Sequence, residues 1–250
     1  MDYGNPPQRV TWCLTVSSLF VIRMKHLHHA YHIDRLAARF DILREQLESL
    51  IGSAADNLGE WSALLKSHRN GPRESNQRRI FTAKGTYLAL WRASKDLNEC
   101  CVYSQLANLL QNFIQCTCDL YTMYSLLYLN QISDIFGYIL NVVATFAALG
   151  VVLAACENCK NQVGQMGQAL HKRRGDEADW LATMIENFSL LLQHTPVCFS
   201  LGGFFDMDFM LLKEMAAAIT TYMVIFIQFM PKDEPVTAPL ANSTITPTSG

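Results

Sequence analysis

The chain is expected to fold as an all-α, polytopic membrane protein, and three observations predict it. Only 17% of its 250 residues are charged while 50% are hydrophobic, against about 25% charged in ordinary globular domains. No Lys or Arg stands between Lys95 and Lys160, a gap that soluble chains of this size rarely leave. Inside that gap, residues 135–156 read IFGYILNVVATFAALGVVLAAC, 22 residues without a charge. As a helix that run is about 33 Å long, enough to cross a hydrocarbon core of about 30 Å.

Taken in order, residues 10–22 (VTWCLTVSSLFVI) are apolar but only 13 long, too short to cross alone. Residues 23–104 form a polar, helical connector. Its first part places Leu36, Phe40, Leu43, Leu47 and Leu50 at three- and four-residue spacing, the signature of an amphipathic helix. Residues 68–79 (HRNGPRESNQRR) read as a flexible loop by composition. Residues 105–129 are a candidate span bearing Asn108, Gln111, Asn112, Gln115 and Asp119. Lipid cannot surround such a helix, so it must pack against others. A short link, 130–134, leads to the apolar run 135–156. Residues 157–208 hold an amphipathic stretch at 180–199, then Gly202 and Gly203, which break the pattern, and Asp206 or Asp208, either of which can cap a helix. The last span is expected over 209–230, followed by a polar tail, 231–250.

Charge suggests the orientation. Residues 23–95 hold 13 Lys and Arg, four more lie between Cys156 and Gly202, and the link 130–134 has none. Basic loops stay inside, so both basic connectors are placed in the cytoplasm and the C-terminal tail outside. There Asn242-Ser243-Thr244 is a possible glycosylation acceptor, whereas Asn187-Phe188-Ser189 falls inside and should be silent.

Little points to chemistry. Net charge is −2, which gives no reason to expect nucleic-acid binding. The eight Cys lie in or beside apolar helical stretches and do not read as a disulfide framework. Cys156 and Cys159 have the spacing of half a zinc site but lack a second half. His28 and His32, one helical turn apart, could grip a metal, though no carboxylate partner stands in a known motif. His171 to Arg174 (HKRR) marks the cytoplasmic side or touches anionic lipid. The N-terminus shows no signal-peptide pattern. There is no nucleophile–base set and no phosphate- or dinucleotide-binding loop. An enzyme, a cofactor or a resident metal is therefore not expected.

The last span carries one anomaly. In TTYMVIFIQFM, residues 220–230, Gln228 puts an amide near the end of an apolar run, where it must find a partner or face water. It lies seven residues after Thr221, on one stripe, with Tyr222, Phe226 and Phe229 on a neighbouring aromatic stripe. Gln228 either bonds a neighbouring helix or lines a water-filled path.

These residues resemble a known signature. Thr221-Tyr222, five apolar residues and Gln228-Phe229 match that of the insect gustatory receptors. FFDMDFMLL, TPVCFSLGGFF and LAACENCKNQVGQMGQALHK resemble their counterparts in that family, with the likeness strongest over 105–230. The resemblance implies the C-terminal part of an inverted seven-helix, ligand-gated cation channel of the plasma membrane. Its N-terminus would be cytoplasmic and its C-terminus extracellular. It implies homo- or hetero-tetramers with other gustatory receptor subunits, a small-molecule tastant, and a pore lined by the last helix of each subunit. Thr221, Tyr222, Gln228 and Phe229 would stand on that helix, the last two near the gate, and 157–208 would belong to a cytoplasmic anchor.

Family members are longer than this chain, so residues 1–22 are expected to be the stub of a fourth span, with a partial gene model or truncated isoform behind it. The resemblance does not identify the ligand. The acidic residue that often follows the signature Tyr in the sugar-sensing branch is Met223 here. Two rival readings differ in topology or current: a G-protein-coupled seven-helix receptor with a cytoplasmic C-terminus, and a non-conducting transporter or scaffold.

Overall fold

The computed structural model describes residues 6–63, 71–130, 135–172 and 179–229. Asn242, the tail, most of the link 130–134, part of the 68–79 stretch and the side chains of His171 to Arg174 lie outside the described residues. In order come α1 (Pro6–Ala63), α2 (Gly71–Tyr128), α3 (Ile135–Lys172), α4 (Asp179–His194), the two-residue strands β1 (Ser200–Leu201) and β2 (Phe205–Asp206), and α5 (Phe209–Gln228). The described chain is all-α apart from that one hairpin. α3 and α5 are long and apolar enough to cross a membrane.

α1 and α3 form the spine. On α1 one line of buried residues runs Ala30, Ile33, Ala37, Phe40, Leu43, Leu47 and Ile51, with Leu50 buried beside it. On α3 the facing line runs Leu149, Val152, Cys156, Cys159, Val163, Met166 and Leu170, with Leu153 and Ala155 buried beside it. On α3 the steps alternate strictly between three and four, and on α1 nearly so. Such an average of about 3.5 residues keeps one seam facing a partner helix. Cys156 and Cys159 therefore fill seam positions as small apolar side chains. Asp34 of α1 lies close enough to Cys159 for its charge to be felt there. Arg23 of α1 reaches Asn141 and Thr145 of α3, and Asp34 lies near Cys159. The two helices thus run parallel, and α1 continues unbroken through Arg23, past the end of its apolar run.

α2 begins at Gly71, so residues 71–79 are helical where composition suggested a loop. Pro72 stands in the first turn, where a missing N–H costs nothing. Farther along, the polar residues of α2 turn inward: Gln105, Asn108, Asn112 and Asp119 are buried, while Gln111 faces out. Tyr87 sits fully buried between the rings of Phe40 and Phe188.

Three hydrogen bonds staple the segment after α4 to α2. The Tyr87 hydroxyl donates to the Thr195 carbonyl at 2.7 Å, the Trp91 indole to the Pro196 carbonyl at 3.2 Å, and the Ser200 amide to the Asn98 side-chain oxygen at 3.1 Å.

Candidate functional site

The final helix is set by the hairpin before it. β1 and β2 pair antiparallel, Ser200 opposite Asp206 and Leu201 opposite Phe205. The connecting turn uses Gly202 at φ 65° and Gly203 at φ 78°, a left-handed backbone that side chains with a Cβ resist. Asp206 is spent in the strand. Asp208 is the N-cap of α5: its carboxyl accepts from the Met210 amide at 2.9 Å and the Leu211 amide at 3.3 Å, filling two donors that the first turn leaves open.

α5 buries one narrow stripe, Leu211, Met215 and Ile219. Its continuation carries Tyr222, stacked edge-on against Phe113 at 5.7 Å, and Phe226, against Tyr121 at 5.9 Å. Both ring partners belong to α2, so this part of the aromatic stripe faces the bundle. Thr221 and Gln228 do not. At about 100° per residue, Gln228 follows Thr221 by almost two full turns and stands about half a turn from Ile219. Both are exposed. The Thr221 hydroxyl donates back to the Ala217 carbonyl at 3.0 Å, so it needs no partner from another helix. Phe229, 81% exposed, caps the C-terminal end. Of the four signature residues, Tyr222 packs on the bundle edge, while Thr221 and Gln228 share the outward face and Phe229 ends it.

A second constellation, which the sequence did not single out, ties three helices together. Asn141 of α3 accepts from the Arg23 guanidinium of α1, through both its side-chain oxygen and its carbonyl. Its amide nitrogen donates to the Asp119 carboxyl of α2, whose other oxygen accepts from Gln115 at 2.8 Å. One neutral side chain thus bridges a cation and a carboxyl group 96 residues apart in sequence. Gln115 and Asp119 carried a signal, as polar residues inside a candidate span. Arg23 was masked by lying at the edge of a basic connector. One turn away, the Asn112 amide meets the ring of buried His26 at 2.9 Å.

Residues 1–232 match the family model for the 7tm chemosensory receptor. A Drosophila melanogaster protein provisionally named gustatory receptor 2a is 24% identical over 248 residues, covering 88% of this chain and 56% of that protein. Gustatory receptor 23a of the same species is 33% identical over 100 residues, 38% of this chain and 25% of that protein. The chain thus spans little more than half the length of the first relative, and less of the second.

Proposed function

We propose that this chain, which belongs to the 7tm chemosensory receptor family, is a gustatory receptor subunit whose last helix lines a tastant-gated, non-selective cation channel. The observation that supports this is the division of α5. One face is packed on α2, and the opposite face, with Thr221 and Gln228, is left to whatever surrounds the helix. Lipid is a poor neighbour for an amide. Water in a central path is a good one, and four copies around an axis would bring four Gln228 side chains to it.

In this reading the exposed ring of Phe229 forms an apolar constriction that closes by dewetting, and Gln228 provides the polar step beside it. A small-molecule tastant opens the path only to the extent that it binds the open form more tightly. Moving a subunit set from 1:99 to 99:1 takes about 10⁴-fold preference. The chain would sit in the plasma membrane with its basic segments cytoplasmic and its tail outside, where Asn242 could carry a glycan.

The test is thiol modification from the aqueous side. Cys13, Cys100, Cys101, Cys118 and Cys198 are first replaced by Ser, while buried Cys116, Cys156 and Cys159 are kept. Thr221→Cys and Gln228→Cys should then react with a charged methanethiosulfonate reagent, and Ile219→Cys on the buried stripe should not. Failure of both outward positions to react would remove the pore assignment.

A further inference from the structure

We propose that His28 and His32 form a two-histidine site on α1 for one divalent late transition-metal ion, of the zinc, nickel or copper class, whose remaining positions are open to water or an added ligand. The four-residue spacing alone does not carry this, because two histidines one turn apart are common on helices. The side-chain geometry does. The two Nε2 atoms converge to 3.1 Å, with the rings edge to face, their centroids 4.5 Å apart and their planes at 89°. Two nitrogens each held about 2.0–2.1 Å from one ion, at an angle between square and tetrahedral, lie about 2.8–3.4 Å apart. The observed separation falls within that window, so both lone pairs can be taken by one ion with little rearrangement.

The pair stands on the exposed side of α1, unlike His26 and His29 on the buried side. Imidazole suits copper, nickel and zinc, and favours them over magnesium or calcium, which prefer oxygen. Among the described residues no group of three His, Cys, Asp or Glu converges. The site therefore supplies two protein ligands, which makes it an open, exchangeable site and not a closed structural one. The competing account is a plain hydrogen bond, in which one ring donates its Nε2 proton to the other. That arrangement ties up one lone pair and gives no preference for a metal.

The experiment uses the whole 250-residue chain in detergent, without a histidine tag and with Cys13, Cys100, Cys101, Cys118 and Cys198 replaced by Ser so that these thiols neither bind nor reduce the copper, titrated with Cu²⁺ alone and followed by electron paramagnetic resonance. One copper per chain with nitrogen couplings from two imidazoles is the expected result. His28→Ala and His32→Ala should each weaken binding by at least about tenfold, no less than the loss of an outer partner of a metal ligand does. His194→Ala, at an exposed histidine on α4, should leave it unchanged. Either substituted position has an exposed side chain, and an unchanged unfolding temperature checks that the variants are folded. Copper bound equally well by both variants, or a spectrum with one imidazole or none, would overturn the site. The outcome is independent of whether α5 lines a pore.

Discussion

Asn141 uses both ends of one amide, and that is why it is hard to replace. Its oxygen faces a guanidinium and its nitrogen a carboxyl, where three helices meet. Asn141→Ala removes the shared side chain, while Arg23 keeps the main-chain carbonyl and Thr145 and Asp119 keeps Gln115; a lost hydrogen bond to a charged group costs about 1.5–3 kcal/mol. We expect a lower unfolding temperature in detergent with the helix content retained. Gln228 makes the opposite case. It is exposed, so its removal should cost little stability. If it borders ions, Gln228→Ala changes the conductance or gating of receptor channels while surface expression stays near normal, as read by single-channel recording beside surface labelling. Thr221 and Gln228 were legible as a stripe because two helical turns nearly close on seven residues. Their position opposite the packed face was not legible, since that face is defined by the burial of Leu211, Met215 and Ile219 and by the contacts of Tyr222 and Phe226 with α2.

At the scale of elements, the α1–α3 seam holds the core of the bundle. Phe40 fills its centre, fully buried and against Tyr87. Phe40→Ala should cost about 3–5 kcal/mol, as truncating a buried Phe to Ala does, and should show as loss of folded protein on size exclusion after mild heating. Leu43, Leu47 and Leu50 were readable as one apolar face. The reach of α1 was not, because Arg23 ends the apolar run while helical geometry continues through it. Likewise Gly71 and Pro72 argued for a loop, yet both fit a first helical turn. The choice of Asp208 over Asp206 as cap was left open by spacing. The pairing of Ser200 with Asp206 decides it, by drawing the earlier aspartate into a strand.

For the molecule as a whole, composition was enough to give the all-α membrane class, and the family match agrees. What composition could not give was the arrangement of helices. The bridge from Arg23 through Asn141 to Asp119 joins positions far apart in sequence, and no local pattern announces such a contact. Orientation rests on loop charge. An epitope placed after Gly250 should therefore stain on intact, unpermeabilised cells; staining only after permeabilisation would reverse the topology and favour a receptor with a cytoplasmic tail.

The unbroken length of the two spine helices has a mechanical consequence. α3 has 38 residues and α1 has 58, about 57 and 87 Å as helices, both longer than a bilayer core of about 30 Å. Packed side by side, both are continuous helix between the level of Asn141 and that of Leu170, which is the geometry of a double rod. Over such a length a rigid tilt of a few degrees at one end would become a sideways sweep of ångström size at the other. A stimulus received at the first level thus needs no relay of loops to be felt at the second.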